Sequence, residues 1–412
     1  RYDGAEMSDA EAALRGYYVR LMNISTSNPA MAGKYAPIDT DHDRLFAFAR
    51  WHGGERLIVV NNFNDLAAQY YTLDIPAELI ANLQLADGRY ALDDLLPSAA
   101  KSRLNPAHLV VDGGSAYVQL LVPASESLVL RVGDKNIERH NGFASNFIGA
   151  RHVDVWLPRD YHESGKDYRV LYMHDGQNLF NPEWVYYTQT DWDIDTTLQR
   201  LIDEGAVDDT IVVGIWSTNE RISDYMPWDL YQAAPDEYRE VISRYMQQEP
   251  ESREYLQFIV EELKPYIDAN YRTRPDRDDT FLMGSSMGAL ISLYGVIKHP
   301  DVFGGAAAVS THWPSSMLPD NPDGNESVLD YLRGSIPPPG DHKIYFDFGT
   351  EELDSDYEPH QDAVDNVMRE LGYKQGSLWQ TRKFEGAGHN EGAWQERAHI
   401  PLKFLLGTDS EQ

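Results

Sequence analysis

The 412-residue chain contains no cysteine. This absence excludes disulfide bonds, thiolate metal ligands and a cysteine nucleophile. The chain also lacks a run of about 18 or more apolar residues, the length that a membrane-spanning helix requires. Its first residues show no basic segment followed by an apolar one, so we expect no signal peptide in this chain. Membrane insertion and thiol chemistry are therefore not expected.

Basic residues are scarce relative to acidic ones. The chain has 35 Lys and Arg against 66 Asp and Glu, which gives a net charge of −31 at pH 7. A field of this sign repels nucleic acids and anionic lipids, which bind through clustered lysine and arginine. We therefore expect neither nucleic acid nor membrane as a partner. The excess is uneven, with 17 acidic and 12 basic side chains in residues 1–135 and 49 and 23 in residues 136–412.

The first third of the chain has the pattern of an all-β domain with a leading helix. Ser8 and Glu11 form a capping-box pattern, and apolar residues follow at helical spacing. Short β-branched or aromatic runs, separated by turn residues, then predict a sandwich. These runs are 44–50, 57–63, 69–73, 116–122 and 127–132. We assign residues 1–135 to this smaller N-terminal all-β sandwich domain.

A different pattern fills the rest of the chain. Residues 136–147 are polar and rich in turn residues, which predicts a linker. From residue 148, short apolar strands alternate with helical stretches, and this alternation is typical of a mainly parallel sheet covered by helices on both faces. The predicted fold class is therefore α/β, with a second domain at 148–412.

The strongest local motif is G-x-S-x-G at residues 284–288, with Ser286 in the centre. An apolar strand leads into the motif and an apolar helical run follows it, as in a nucleophile elbow. The glycines permit the tight turn that lifts the serine hydroxyl out of the sheet edge. The motif therefore predicts Ser286 as a nucleophile.

A serine nucleophile needs a histidine as base and an acidic residue that orients the histidine. In chains with a nucleophile elbow, the acid follows the serine in the sequence and the histidine follows the acid. His389 lies on a glycine-flanked loop near the end of the chain. The acid is expected on the loop after the predicted strand 343–348, where Glu352 and Asp354 both qualify. This chemistry needs neither a cofactor nor a metal, so we expect none.

Two backbone amides must stabilise the oxyanion that forms when a serine attacks a carbonyl group. One is expected from Met287, which follows the nucleophile. The other is expected from Gln177, because Gly176 lets the chain turn this amide inward. Loops above the sheet edge commonly form substrate pockets. The predicted substrate-binding residues are Arg221, Tyr225, Trp228 and Trp313, although the aromatic stretch 217–255 fits equally well a helical cap with its own small core.

Five sequence motifs follow one another in the second predicted domain: YMHDGQNLF, GIWSTNERISDYMP, GSSMGAL, STHWP and GAGHNEGAWQERAHIPLKFLLG. Over about residues 140–408 they resemble the putative-esterase family of α/β hydrolases, which includes esterase D-like and feruloyl-esterase-like proteins. The resemblance implies a serine carboxylesterase with Ser286 as nucleophile and His389 as base. Many relatives carry Asp where this chain has Glu352, whereas Asp354 matches a GTxxLD form. Asp354 is therefore the first choice of acid and Glu352 the second.

The N-terminal segments LRGYYVRLMNISTSNPAMAGKYAPI, DRLFAFAR and GGERLIVVNNFND resemble the end of an α-amylase-family glycoside hydrolase, over about residues 10–133. In that family an antiparallel C-terminal β-domain follows the last barrel helix, and the catalytic carboxylates lie on the barrel. The resemblance implies an upstream amylase barrel as a partner in a full-length protein, and no amylase activity in this chain. The resemblance to polysaccharide-degrading enzymes also implies a secreted or periplasmic location.

These observations predict a serine carboxylic-ester hydrolase that acts through an acyl-enzyme on acetyl or feruloyl-type esters associated with carbohydrate. Two other hypotheses fit the same residues. The first is a glucan-binding protein with an idle hydrolase domain, which would bind starch without turnover dependent on Ser286. The second is an acyltransferase on the same triad, which would place the acyl group on an added sugar instead of water.

Overall fold

Contacts between residues divide the molecule into two compact units, Arg1–Glu138 and Arg139–Gln412. The computed structural model describes residues 8–64, 69–85, 88–96, 108–112, 114–135, 137–162, 164–180, 185, 188, 190–246, 248–317, 322–340 and 342–408. Among the helices of these residues, none is both long and apolar enough to cross a membrane.

The first unit opens with helix α1 (Asp9–Ser27). The predicted capping box is present, because the Ser8 hydroxyl accepts the Glu11 amide at 3.3 Å and the Glu11 carboxylate accepts the Ser8 amide at 2.8 Å. A second helix, α2 (Ala77–Asn82), lies between strands. The strands are β1 (Lys34–Ile38), β2 (Leu45–His52), β3 (Glu55–Asn62), β4 (Gln69–Ile75), β5 (Gly88–Asp94), β6 (His108–Asp112), β7 (Ser115–Val122) and β8 (Ser127–Lys135).

These strands are hydrogen-bonded into one sheet in the order β1-β2-β3-β8-β5-β6-β7-β4. Neighbouring strands run antiparallel. Buried residues from every strand contribute to the main core, and the edge strands β1 and β4 lie in contact. A second, smaller cluster, which includes Leu57, Val59 and Val129, packs against helix α1. The described part of this unit is therefore one sheet curled around its core, rather than the two separate sheets of the predicted sandwich.

Part of the predicted linker 136–147 is a strand, β9 (Ile137–Phe143). It lies at the edge of the second sheet, next to β10 (Arg151–Trp156). Only Ile137 of this strand is buried, and the other residues are exposed or half-buried. The polar composition thus reflects an edge position, which the sequence pattern could not distinguish from a connecting segment.

The second unit is built on a mainly parallel sheet, as the strand–helix alternation predicts. Its further strands are β11 (Arg169–His174), β12 (Thr210–Ile215), β13 (Thr280–Ser285), β14 (Gly305–Val309), β15 (Lys343–Phe348) and β16 (Trp379–Lys383). The order is β16-β15-β14-β13-β11-β12-β10-β9. Strands β11 to β16 pair in parallel, and β10 pairs antiparallel with β12. The carboxyl ends of the parallel strands share one edge, where ligands commonly bind in open α/β sheets.

Helices connect these strands. They are α3 (Ile194–Asp203), α4 (Arg221–Tyr225), α5 (Trp228–Ala233), α6 (Asp236–Ser243), α7 (Ser252–Gln257), α8 (Lys264–Asn270), α9 (Met287–Lys298), α10 (Pro322–Ser335), α11 (Glu358–Glu370), α12 (Glu391–Arg397) and α13 (His399–Leu406). A π-helical segment, Phe258–Leu263, joins α7 to α8. Strand β13 and most of α9 are buried, so the turn between them is fixed from both sides.

His174, at the end of β11, is a buried titratable group in this unit. Its Nδ1 lies 2.8 Å from the Tyr255 hydroxyl, and the ring is 2 % exposed. Burial lowers the pKa of His174 to about 3, because an imidazolium loses hydration there; the opposing effect of Asp175 is smaller. The folded chain therefore keeps His174 neutral in the range where an unfolded chain would protonate it.

This difference predicts a loss of stability in mild acid. Below about pH 6.5 the unfolded chain binds a proton at His174 that the folded chain does not, so the free energy of unfolding falls as the pH drops. Between about pH 7 and pH 5, His174→Asn should lose about 2 kcal/mol less of this free energy than the wild type. Urea unfolding followed by circular dichroism measures the loss. His162→Asn, at an exposed ring, should match the wild type; equal losses in His174→Asn and wild type would contradict the prediction.

Candidate active site

The turn between β13 and α9 has the geometry that the G-x-S-x-G motif predicts. Ser286 has φ 57° and ψ −120°, a conformation that few non-glycine residues adopt. A Cβ atom at Gly284 would lie 2.7 Å from the backbone of Gly288, and one at Gly288 would lie 3.3 Å from the Asp175 carboxylate. The two glycines therefore allow the strand and the helix to approach closely around Ser286.

His389 and Asp354 form a close pair. The imidazole Nδ1 donates to Asp354 Oδ1 at 2.6 Å. The other oxygen, Oδ2, accepts the Ser310 hydroxyl and the Gly349 amide, both at 2.6 Å. Asp354 is 1 % exposed, so these three donors satisfy a carboxylate that has lost its contact with water. The arrangement fixes which ring nitrogen faces the acid and leaves Nε2 for a serine hydroxyl.

Glu352 occupies a different position from the one that an orienting acid needs. Its Oε2 accepts the backbone amide of His389 at 2.9 Å and the side-chain amide of Asn390 at 3.0 Å. Glu352 thus holds the backbone of the histidine loop, and Asp354 holds the ring. The second choice of acid is therefore wrong on geometry.

Two aromatic rings fix the plane of the His389 ring. Trp394 lies edge-on to it at 5.1 Å between centroids, and Tyr357 does so at 5.7 Å. Within the described residues, no hydrogen bond joins the Ser286 hydroxyl to His389. Serine–histidine hydrogen bonds are often long before substrate binds and shorten in the complex, so this geometry is compatible with a working pair.

A buried polar network behind Asp354 escaped the sequence analysis. Ser310, fully buried with φ 45°, accepts Trp394 Nε1 at 3.0 Å and Arg397 Nη2 at 2.8 Å while donating to Asp354. The same Arg397 nitrogen donates to Asp347 at 3.1 Å. Burial raises the pKa of Asp347, and Arg397 opposes that rise. The only sequence signal was a charged residue, Asp347, inside an apolar strand, and its role is structural.

The two amides predicted for an oxyanion site are available. Among the described residues, neither the Met287 nor the Gln177 amide donates a hydrogen bond to another group. The Gln177 side chain is held by reciprocal bonds to Ser217, in which Nε2 donates to the hydroxyl at 2.7 Å and Oε1 accepts the amide at 3.1 Å. Met287 also begins α9, where helix amides and the helix dipole favour negative charge.

Arg221 lies beside the Gln177 loop. Its guanidinium makes two hydrogen bonds to Asp175, at 2.7 and 2.8 Å, and its side chain is 30 % exposed. Burial alone would lower the pKa of Arg221, but the charge and the hydrogen bonds of Asp175 outweigh burial, so the pKa of Arg221 is raised. Arg221 therefore stays charged and partly accessible, which keeps it as a predicted substrate contact.

The other predicted substrate residues need correction. Tyr225 is fully buried, and its hydroxyl accepts the Asp175 amide at 3.2 Å. Trp313 is 1 % exposed, and its Nε1 donates to Gln361 at 3.1 Å. These two predictions are wrong, because neither ring offers a surface to a substrate. Trp228 is half-buried, and the Arg253 guanidinium lies 5.6 Å from the centre of its ring. Within the described part of the chain, this ring makes no aromatic or cation–π contact with the proposed catalytic residues.

His312 is a further residue at the elbow that sequence analysis passed over. Its amide donates to the Ser286 carbonyl at 3.3 Å, and its Nδ1 lies 2.6 Å from the Tyr357 hydroxyl. Burial, with a smaller contribution from the nearby His389, lowers the pKa of His312 to about 4. A second imidazole, uncharged near neutral pH, therefore lies against the nucleophile turn. Its position in STHWP, directly after β14, is the signal that could have indicated it.

The described residues contain no group of three or more His, Asp or Glu arranged to hold a metal ion. These residues do include a strained turn that carries a half-buried serine, an imidazole oriented by a buried carboxylate, and two backbone amides that donate no hydrogen bond. Such an arrangement can activate a hydroxyl for attack on a carbonyl group.

Comparisons with known proteins give the following matches. The model of the family described as "Putative esterase" matches residues 145–400, more than half of the chain. The uncharacterized protein YbbA of Bacillus subtilis is 22 % identical over 205 residues, which are 50 % of this chain and 70 % of YbbA. A solved ferulic acid esterase is 21 % identical, with a TM-score of 0.45 over 66 % of this chain and 97 % of its own. An IroE-like serine hydrolase from Shewanella oneidensis is 21 % identical, with a TM-score of 0.46 over 65 % and 78 %.

The contrast between the two acids is testable. Asp354→Asn leaves the shape intact but places an amide against the imidazole, which favours the wrong tautomer and should lower kcat by about 10⁴-fold. Glu352→Gln keeps an oxygen acceptor for the His389 amide and should lower kcat by less than about tenfold. Hydrolysis of p-nitrophenyl acetate, with circular dichroism to check folding, compares the two variants. A larger loss in Glu352→Gln would reverse the assignment.

Proposed function

Because this chain belongs to the putative esterase family and is a serine esterase with an α/β-hydrolase fold, we propose that it hydrolyses carboxylic esters through an acyl-enzyme on Ser286, His389 and Asp354. The observation that carries this proposal is the 2.6 Å hydrogen bond from His389 Nδ1 to the buried Asp354. That bond leaves Nε2 as the base, on the side of the ring away from the acid.

The first half of the proposed reaction forms the acyl-enzyme. Ser286 Oγ attacks the ester carbonyl carbon while its proton passes to His389 Nε2. Asp354 stabilises the imidazolium that results. The carbonyl oxygen, now negative, accepts hydrogen bonds from the Met287 and Gln177 amides. The tetrahedral intermediate then collapses, and the alcohol leaves with the proton from His389.

The second half repeats these steps with water. His389 takes a proton from a water molecule, which attacks the acyl carbon, and the same amides stabilise the second oxyanion. Collapse of this intermediate returns the proton to Ser286 Oγ and releases the carboxylic acid. Every proton that His389 accepts is returned within one turnover, so the chain needs no other acid or base.

We propose that the ester is an acetyl or feruloyl-type group attached to carbohydrate. Support comes from the resemblance of residues 10–133 to the C-terminal β-domain of α-amylase-family enzymes. An esterase that shares its chain with a domain of that kind would cleave esters where polysaccharide is degraded. Arg221, charged and 30 % exposed next to the Gln177 loop, is the residue proposed to contact the polar part of the substrate.

Removal of the nucleophile tests the proposed mechanism. Ser286→Ala should lower kcat by about 10⁶-fold, because the acyl-enzyme cannot form. Ser285→Ala is the matched control, since Ser285 is adjacent, 6 % exposed and given no role in the reaction. Turnover of p-nitrophenyl acetate and methyl ferulate measures both variants. Wild-type turnover in Ser286→Ala, or no turnover in the wild type, would contradict the mechanism.

A further inference from the structure

His312 lies beside the nucleophile turn, and the proposed mechanism gives its side chain no role. Its backbone amide donates to the Ser286 carbonyl at 3.3 Å, and its ring is half-buried. Nδ1 lies 2.6 Å from the Tyr357 hydroxyl. The other ring nitrogen, Nε2, has no hydrogen-bond partner among the described residues and is not enclosed by them. The residue beside the proposed nucleophile thus keeps one polar atom available for another partner.

The Tyr357 hydroxyl determines which nitrogen of His312 carries the hydrogen. Tyr357 is 1 % exposed, and among the described residues its hydroxyl has only His312 as a hydrogen-bond partner. If this hydroxyl accepted a hydrogen bond from Nδ1, its own hydrogen would be buried without an acceptor, which is unfavourable. Tyr357 therefore donates to Nδ1. A neutral imidazole that accepts at Nδ1 carries its hydrogen on Nε2.

Both side chains keep these protonation states near neutral pH. Burial lowers the pKa of His312 to about 4, with smaller contributions from His389 and Arg221, so the ring is uncharged. Burial also raises the pKa of Tyr357, and the charge of Asp354 adds to the rise. The accessible Nε2 of His312 is therefore a hydrogen-bond donor without charge.

The order of the strands indicates which part of a substrate His312 faces. Strand β13, which leads into the nucleophile turn, lies between β11 and β14. Gln177 follows β11, whereas His312 and His389 follow β14 and β16 on the other side of β13. In the proposed mechanism the Gln177 amide binds the carbonyl oxygen, and His389 protonates the departing alcohol. The alcohol part of the ester therefore lies on the side of β13 from which His312 comes.

One aromatic ring connects the two histidines. The Tyr357 ring lies 5.9 Å from the His312 ring and 5.7 Å from the His389 ring, measured between centroids. Tyr357 is buried, so close packing holds its ring in place. The Nε2 donor of His312 is thus positioned relative to the same base that protonates the alcohol.

From these observations we propose that His312 Nε2 donates a hydrogen bond to an oxygen atom in the alcohol part of the ester. This role rests on the proposed function, because it requires an alcohol that leaves beside His389. A donor without charge binds a neutral hydroxyl or ether oxygen and gains nothing from an alkyl group. The chain therefore prefers esters of polyhydric alcohols, the class that includes sugars, to esters of simple alkanols.

Two pairs of acetates with matched shapes test this preference. 2-Hydroxyethyl acetate has a hydroxyl where n-propyl acetate has a methyl group. 2-Methoxyethyl acetate has an ether oxygen where n-butyl acetate has a methylene group, and this oxygen can only accept a hydrogen bond. Titration of the released acetic acid at constant pH gives kcat/KM for each ester. In each pair, the wild type should prefer the ester with the additional oxygen atom.

Variants that differ only at residue 312 measure the contribution of the imidazole. His312→Phe alone would leave the buried Tyr357 hydroxyl without an acceptor, so the comparison is between Tyr357→Phe and the double variant Tyr357→Phe/His312→Phe. Loss of one hydrogen bond to the substrate should reduce the preference in both pairs by about tenfold in the double variant. In an otherwise wild-type chain, His312→Gln keeps a side-chain N–H donor and should retain most of the preference. Circular dichroism checks the folding of each variant.

The ratio within a pair separates this role from a structural one, since a general disturbance lowers kcat/KM for both esters alike. Equal ratios in the single and the double variant would overturn the role of His312, even with full turnover that depends on Ser286. A preference confined to 2-hydroxyethyl acetate would mean that the protein accepts the hydrogen bond, which also contradicts the proposal.

Failure of the proposed function has a different result. If the wild type hydrolysed neither these acetates nor p-nitrophenyl acetate, the esterase mechanism would fail, and the role of His312 with it. Turnover of p-nitrophenyl acetate alone would contradict the preference for polyhydric alcohols and leave the mechanism intact.

Discussion

The candidate active site depends on how one buried carboxylate, that of Asp354, is hydrogen-bonded. A charge removed from water is tolerated only when donors replace its hydration. The donors here come from three places: the Gly349 amide on its own loop, the Ser310 hydroxyl after β14, and the His389 ring near the end of the chain. The hydrogen bonds of Asp354 therefore bring together the loops that carry the proposed acid and the proposed base.

Ser310 connects the Asp354 carboxylate to side chains of helix α12. Its hydroxyl donates to Asp354 and accepts from Trp394 and Arg397, so the orientation of one small group is fixed from three directions. Trp394 also faces the His389 ring at 5.1 Å. The position of the imidazole thus depends on α12 as much as on its own loop.

The sequence predicted those parts of the candidate active site that are determined by residues close together in the chain. The strand–helix alternation and the G-x-S-x-G motif predicted the parallel sheet and the turn at Ser286, because both are set by residues close in the chain. The spacing alone could not separate Glu352 from Asp354, since two acids two residues apart share one loop and differ only in distant partners; Asp354 was the first choice only because it matches the GTxxLD form of the family. The sequence also did not indicate that Trp313 is buried, because Gln361, which accepts its Nε1 hydrogen bond, lies 48 residues further along the chain. Strand β1 was missed because it contains Pro37, and β5 because it begins with Gly88 and ends in two aspartates.

The position of α12 has a consequence for synthesis of the chain. Ser286, Ser310 and Asp354 are made well before His389, Trp394 and Arg397, which lie in the last part of the sequence. A nascent chain that has not reached residue 389 carries Ser286 and Asp354 but lacks both the proposed base and the arginine that binds Ser310. On the proposed mechanism we therefore expect no turnover at Ser286 until α12 has been synthesised and packed against Ser310 and His389.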